Sequence, residues 1–257
     1  MNTTKQNLKL GLKPFEEDER DIRFKDVFNI KKLPDVPKGP FGHADPDTYS
    51  DIYNNDQLGC CGPAGAGHSA RVMAKEGTKK AVTITVDEIL KCYEKVGGYV
   101  PGKPETDQGV QLRDLMNYWK NTGLKDTTGK VHKIDAYVLL NLKNFKEILL
   151  STYLFGTCST GVVITDATMN QFENKQPWDN VKNANEEGGH FAPTAYRFLN
   201  GNYGLMTWAE LQEATERWMK KYISQAFAPI SFDILDQKGV SPEGFDKPKL
   251  LEYLNAL

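Results

Sequence analysis

Hydrophobic positions recur at helical spacing through the first half of the chain. Between residues 110 and 121 most apolar side chains fall three or four residues apart, as one face of a helix requires. Thr85 followed by Glu88 forms a capping box, which is typical of a helix start. Asn141 is a candidate cap for a further helix. Together these patterns predict helices over residues 62–75, 86–96, 110–121 and 142–155.

The second half of the chain changes to segments rich in β-branched and aromatic residues. Strands are predicted over residues 160–165, 191–199 and 203–208, with a turn at Gly201 between the last two. Thr207 and Glu210 have capping-box spacing, which predicts a helix over residues 209–222. A strand near 226–232 and a short terminal helix complete the pattern. Helices followed by an antiparallel sheet indicate an α+β fold with a cleft where the two halves meet.

The two ends of the chain lie outside these predicted helices and strands of the body. Residues 1–50 are rich in Pro, Asp and Lys, and they are predicted to form an extended N-terminal arm. Leu8, Leu10 and Leu12 alternate with other residues as an edge strand would, so the arm is expected to pack on the body. It either covers part of the cleft or buttresses the far side of the sheet half. The predicted organisation is an arm over 1–50, a helical half over 51–155, a sheet half over 156–240 and a tail over 241–257.

Composition narrows the classes of function. The chain has 257 residues, 39% hydrophobic and 26% charged, with a net charge of -2, so it has no overall field that attracts nucleic acid or an anionic membrane. No apolar stretch reaches the roughly 18 residues of a membrane span, and the N-terminus lacks the apolar core of a signal peptide. The four cysteines have neither the spacing of a zinc site nor that of a disulfide framework, and they suit a reducing compartment.

Two residues are candidates for covalent chemistry. Cys61 begins the first long helix, where the partial positive charge of the helix N-terminus lowers the pKa of a thiol and favours the nucleophilic thiolate. His190 follows Gly188 and Gly189 and opens a β-rich segment, so a substrate backbone can pass close to its imidazole. The pair predicts a cysteine nucleophile with a histidine as general base.

Five segments in this order resemble those of the papain-like cysteine peptidases. The matching segments are Asn55-Asp56-Gln57-Leu58-Gly59-Cys60-Cys61 before the nucleophile, Thr106-Asp107-Gln108-Gly109-Val110 lining the cleft, residues 156–165 as the first strand of the sheet domain, Glu187-Gly188-Gly189-His190 at the catalytic histidine, and Thr207-Trp208 in place of a Ser-Trp pair. The resemblance covers residues 30–230. It is strongest to a divergent branch found in bacteria and tailed phages.

The resemblance implies a papain-like hydrolase that cleaves an amide bond through a thioester on Cys61, with His190 as base. It implies that Asn55 or Gln57 stabilises the oxyanion, and that the substrate-binding residues are Gly109, Gly189 and Trp208. It implies neither a metal nor an organic cofactor. The expected partner is a peptide substrate, or a cell-wall peptide if the protein comes from a phage.

Departures from the family pattern support a second hypothesis. The family asparagine that orients the histidine falls at Met206, and methionine cannot usefully accept the imidazole proton. Thr207, Asn202 and Asn200 are the alternative partners for His190. Asn55 is one methylene shorter than the glutamine of the family. The alternative is therefore a weak or inactive scaffold that serves as a binding or structural protein, such as a virion component with assembly partners. Its expected location is the cytoplasm or the virion.

Overall fold

The computed structural model describes residues 8–254, so residues 1–7 of the predicted arm and 255–257 of the predicted tail lie outside it. The helices are α1 (Phe24–Val27), α2 (Pro46–Tyr49), α3 (Cys61–Thr78), α4 (Val86–Gly97), α5 (Leu112–Asn121), α6 (Phe145–Phe155), α7 (Asp166–Glu173), α8 (Glu216–Tyr222) and α9 (Lys247–Leu254). The strands are β1 (Phe41–Gly42), β2 (Leu124–Lys125), β3 (Val131–His132), β4 (Ala136–Leu139), β5 (Ser159–Thr165), β6 (Glu186–Phe191), β7 (Thr194–Arg197), β8 (Tyr203–Thr207), β9 (Glu210–Ala214) and β10 (Ile223–Ile230).

Helix α3 forms the centre of the helical half and is buried along almost its whole length. It packs with α4 and α5 around a core that includes Ile89, Leu115 and Trp119. Helix α4 begins as the capping box predicts, because the Thr85 hydroxyl accepts a hydrogen bond from the Glu88 N–H at 3.2 Å. The helix that carries the candidate nucleophile is therefore held by its packing against α4 and α5.

Two four-stranded antiparallel sheets form the other half. Their strand orders are β4-β10-β5-β6 and β1-β7-β8-β9, and a bridge between Cys158 and Thr194 links them. Strand β4 lies within the predicted helical half, residues 51–155, and β1 lies within the predicted arm, residues 1–50. Helices in one half and antiparallel sheets in the other confirm the α+β prediction.

The predicted helix over residues 209–222 is wrong in its first half. Thr207 pairs with Glu210 across a two-residue turn, so β8 and β9 form a hairpin, and the helix begins only after Thr215. The Thr215 hydroxyl is the true cap and accepts a hydrogen bond from the Trp218 N–H at 3.2 Å. The spacing of Thr207 and Glu210 fits a capping box and a hairpin pair equally well, and pairing with β8 decides between them.

The described part of the arm divides into an anchor and a strap. The anchor contains Phe24 and Phe28, which are fully buried in the core of the sheet half against Phe155. Just before them, the Ile22 carbonyl accepts a hydrogen bond from the Leu139 N–H at 2.8 Å, which extends the sheet at β4. Residues 8–13, here called the strap, lead from this anchor back across the molecule to the nucleophile.

Candidate active site

Cys61 is the first residue of α3 and is only 1% exposed. Its Sγ atom accepts a hydrogen bond from the Phe191 N–H at 3.4 Å. Phe191 follows His190 in β6, so the strand that carries the candidate base also contacts the nucleophile through its backbone. The neighbouring Cys60 thiol points elsewhere, toward the Tyr53 carbonyl at 3.4 Å.

His190 is held by a threonine. Its Nε2 atom lies 2.6 Å from the Thr207 Oγ1 atom at the end of β8. The buried Nδ1 atom has no hydrogen-bond partner among residues 8–254. When Nε2 carries the proton and donates it to Thr207, Nδ1 presents a free lone pair, which is what a general base needs.

Met206 and the two asparagines do not hold the imidazole. Side chains alternate along β8, so Met206 packs on the other face from Thr207, against Val72 and Ala195. Asn200 and Asn202 both donate hydrogen bonds to the Glu213 carboxylate, at 2.7 and 2.6 Å. Asn202 immediately precedes β8, five extended residues or roughly 17 Å from Thr207, and Asn200 lies in the turn before it. Of the three predicted partners of His190, the structure brings only Thr207 to it.

Trp208 covers the imidazole. Its ring stacks on that of His190 with centroids 4.2 Å apart and an interplanar angle of 23°. To do so, Trp208 and Ala209 form the turn between β8 and β9 with φ angles of +44° and +64°. Such turns favour Asn and Gly, and a non-glycine residue in the left-handed region costs about 1–2 kcal/mol. Backbone strain therefore lies directly beside the candidate base.

The two candidate oxyanion residues differ in position. Asn55 is 3% exposed, and its Nδ2 donates to the carbonyls of Leu58 at 2.9 Å and Lys9 at 3.3 Å. Gln57 is exposed, and its amide donates to Asp56 at 3.4 Å. The prediction of Gln57 as an oxyanion donor is not supported, because the turn before Cys61 directs its side chain to solvent.

The strap lies in the cleft and contacts both halves through its backbone. On the helical side, the Val110 N–H donates to the Gly11 carbonyl at 2.8 Å, and the Lys13 N–H donates to the Val110 carbonyl at 2.9 Å. On the sheet side, the Leu12 N–H donates to the Gly189 carbonyl at 3.0 Å. An extended polypeptide is thus bound between the two walls next to Cys61.

Glycines make this close approach possible. A Cβ on Gly109 would lie 2.2 Å from the Gly11 carbonyl oxygen, and one on Gly189 would lie 2.2 Å from that of Leu12. Both glycines were expected to bind substrate, and both border the strap. The Leu12 side chain is buried against Gly161, where a Cβ would lie 2.4 Å from a Leu12 methyl group. The cleft fits a backbone with an apolar side chain.

The thiol is not activated in this state, contrary to the expectation from its helix N-terminus. Burial raises the pKa of Cys61 to about 11, although N–H groups of Phe191, Gly11 and Gly62 oppose the rise. Burial raises the pKa values of Cys60, Cys92 and Cys158 further still. Burial also lowers the pKa of His190 to about 3. At neutral pH both groups of the pair are therefore uncharged.

Other candidate groups serve the fold. His68 lies on the same face of α3 as Cys61. Its Nε2, however, is 2.8 Å from the Asp51 carbonyl oxygen, and burial lowers its pKa to about 4. Within residues 8–254, no cluster of three or more His, Cys, Asp or Glu side chains has the arrangement of a metal site. In the same part of the chain, no helix has the length and apolar character needed to cross a membrane.

Asp107 and Tyr93, to which no sequence pattern assigns a role, join the loops around the strap. The Gly59 N–H donates to Asp107 Oδ1 at 2.9 Å, and the Tyr93 hydroxyl donates to the same atom at 2.5 Å. Asp107 lies within a segment that carries the family resemblance. Its partner Gly59 is 48 residues away in sequence, so no local pattern could have connected them.

Comparison with known proteins extends the picture of the fold. No family model matches the chain, and no curated protein matches it. Among solved structures it is similar to xylellain, a cysteine protease from Xylella fastidiosa, with a TM-score of 0.67 and 13% identity over 90% of this chain and 99% of that one. It is also similar to proCathepsin B S9 from Trypanosoma congolense, with a TM-score of 0.57 and 11% identity over 88% and 87% of the two chains.

A third similar structure is the Carica candamarcensis cysteine protease CMS1MS2 in complex with E-64. Its TM-score is 0.54 and its identity 12%, over 76% of this chain and 99% of that one. At these identities the likeness concerns the fold, which is an α+β papain-like fold.

Proposed function

We propose that the protein is a cysteine peptidase whose strap holds it in a latent state. The observation that carries this proposal is the strap itself, an extended polypeptide hydrogen-bonded to Val110 and Gly189 beside Cys61. A cleft that pairs with backbone N–H and C=O groups on both sides suits a peptide substrate, because these groups recur in every peptide. The similar solved structures named as cysteine proteases support the same reading.

The proposed reaction is acyl transfer through a thioester. The His190 Nδ1 takes the proton of the Cys61 thiol, and the sulfur attacks the carbonyl carbon of the scissile amide. The protonated imidazole then returns its proton to the leaving amine, and water hydrolyses the thioester. The Cys61 N–H and the Asn55 amide are the proposed donors to the oxyanion. Thr207 keeps the proton on Nε2 between turnovers, and Trp208 shields the pair from water.

Latency follows from the electrostatics of the closed cleft. Burial favours the neutral thiol and the neutral imidazole, so the pair does not ionise while the strap is bound. Displacing the strap admits water and leaves Cys61 at the positive end of α3, which favours the thiolate. Activity is therefore expected only when residues 8–13 leave the cleft.

Gly11→Val is the test. A Cβ at Gly11 would lie 1.9 Å from the Gly59 carbonyl oxygen, so the variant expels the strap without altering Cys61 or His190. We expect Gly11→Val to cleave members of a fluorogenic peptide library. Gly11→Val combined with Cys61→Ala should be inactive. Gly39→Val is the matched control, since a Cβ there meets nothing within 4 Å, and it should behave as the wild type.

A catalytically inactive binding scaffold is the second candidate. Met206 in place of the family asparagine favours it, because a threonine hydroxyl is a weaker partner for the imidazole than an amide or carboxylate. A Gly11→Val variant whose Cys61 is readily alkylated, but which cleaves no peptide, would select this candidate. A phage origin, cell-wall peptide substrates and virion partners are further proposals, resting on the sequence resemblance alone.

A further inference from the structure

Asp107 connects the two loops that border the strap on the helical side. One Oδ1 atom of Asp107 accepts hydrogen bonds from the Gly59 N–H at 2.9 Å and from the Tyr93 hydroxyl at 2.5 Å. The Tyr93 oxygen in turn accepts a hydrogen bond from the Gly109 N–H at 3.0 Å. A single chain of hydrogen bonds therefore runs from Gly59 to Gly109.

Each end of this chain of hydrogen bonds lies on a loop that contributes to the site. The nucleophile loop, residues 55–60, leads into Cys61, and Asn55 on it exchanges hydrogen bonds of 3.3 Å with Lys9 of the strap. The pairing loop, residues 107–110, binds the strap through Val110. One extended polypeptide thus contacts both loops, and Asp107 with Tyr93 fixes how far apart they are.

Burial and a carboxylate acceptor strengthen this chain of hydrogen bonds. Tyr93 is fully buried, and hydrogen bonds to an ionised carboxylate are roughly twice as strong as neutral ones. Burial, followed by the hydrogen bond to Asp107, raises the pKa of Tyr93. The hydroxyl therefore keeps its proton and can donate to Asp107 while accepting from Gly109.

We propose that Asp107, acting with Tyr93, is a positioning residue that sets the pairing loop against the nucleophile loop and so aligns a bound peptide with Cys61. This inference rests on the proposed function, because it concerns how the same cleft holds its substrate. A misplacement of about 1 Å at a reacting centre can cost 10²-fold in rate, so the separation of the two loops matters to catalysis.

The kinetic test uses the strap-displaced Gly11→Val chain. Adding Tyr93→Phe removes both hydrogen bonds of the hydroxyl, to Asp107 and from Gly109, while Asp107 still accepts from Gly59. The pairing loop alone is freed, so KM should rise about tenfold or more, with kcat nearly unchanged. Asp107→Ala frees both loops and should raise KM and lower kcat. Asp107→Asn keeps an acceptor oxygen for both donors and should restore most of the activity. Equal KM in the parent and in Tyr93→Phe would overturn the inference.

A second measurement needs no turnover, so it separates failure of this inference from failure of the proposed function. In the full-length chain with Gly11 intact, Tyr93→Phe should release the strap more often and speed alkylation of Cys61. Cys158, buried in the sheet half, is the internal control and should stay unreactive. An equal rise at both cysteines would indicate general loosening and overturn the inference.

Tyr99→Phe is the matched control variant. The Tyr99 ring stacks on that of Tyr93 with centroids 5.1 Å apart, and its hydroxyl makes no hydrogen bond to residues 8–254. Its alkylation rate and KM should match those of the parent. Effects in Tyr99→Phe as large as those in Tyr93→Phe would show that ring packing, and not the hydrogen bond to Asp107, positions the loop.

Discussion

The Nε2 atom of His190 lies 2.6 Å from the Oγ1 atom of Thr207, the residue next to the methionine that stands where the family resemblance places an asparagine. A shift of one residue along a strand moves a side chain to the opposite face, so Thr207 and not Met206 faces the imidazole. The hydroxyl leaves Nδ1 free, and three of the predictions below concern this site and its surroundings.

Replacing Thr207 by valine keeps the shape of the side chain and removes the hydroxyl. In the Gly11→Val chain we expect Thr207→Val to lower kcat by roughly 10²-fold or more, because an imidazole without its partner no longer holds the reactive tautomer. Thr207→Ser keeps the hydroxyl and should retain most activity. Steady-state kinetics on a cleaved peptide check this, and equal kcat values for the valine and serine variants would contradict it.

Displacing the strap should change the ionisation of Cys61. In the wild type the alkylation rate should be very low at pH 7 and rise toward pH 11, where the buried thiol loses its proton. In Gly11→Val the midpoint should move to lower pH, and each unit by which the pKa falls raises the thiolate fraction at pH 7 about tenfold. Iodoacetamide labelling followed by mass spectrometry measures both profiles. Superimposable profiles would show that the strap does not control the thiol.

The strained turn after Thr207 predicts a stabilising substitution. Ala209 has a φ of +64°, which glycine adopts without strain, so Ala209→Gly should raise the free energy of unfolding by about 0.5–1 kcal/mol. Ala81→Gly is the control. Ala81 is exposed and outside the left-handed region, so glycine there should only destabilise slightly. Denaturant unfolding distinguishes them, and a loss of stability in Ala209→Gly would argue against strain at this turn.

His43 should make stability depend on pH far from the site. Burial would lower its pKa, but the ion pairs with Glu243 at 3.0 Å and Glu76 at 3.4 Å outweigh this and raise it to about 9. Since the folded pKa lies above the unfolded value of about 6.5, the stabilisation is complete below pH 6.5 and is lost as pH rises through 9. Its size is on the order of 3 kcal/mol at most.

His43→Gln removes this dependence. The difference in melting temperature between the wild type and His43→Gln should be largest near pH 6 and shrink by pH 9.5. Because Glu243 lies in the predicted tail, Glu243→Gln should reproduce part of the effect. A difference that is constant over this range would show that the charge on His43 does not hold the tail to α3.

Much of the architecture follows from the sequence by itself. The apolar stripe of residues 110–121 predicts α5, because side chains spaced every 3.6 residues share one face of a helix, and the Thr85–Glu88 capping box predicts the start of α4. The order of helices and strands predicts an α+β fold, and the resemblance of the segments around Cys61 and His190 to the papain-like peptidases implies the papain-like arrangement. These features depend on local patterns, which a sequence records directly.

The tertiary structure decided what those patterns leave open. Whether Thr207 and Glu210 start a helix or close a hairpin depends on β8, and whether Asn200, Asn202 or Thr207 meets His190 depends on the end of the strand at which each lies. The helix N-terminus predicts a lowered pKa for Cys61, and this prediction is wrong because burial raises the pKa. The effect of the helix is local in sequence, whereas the burial involves a strap some fifty residues upstream. Desolvation and long-range hydrogen bonds, such as that from Gly59 to Asp107, exist only once the chain has folded.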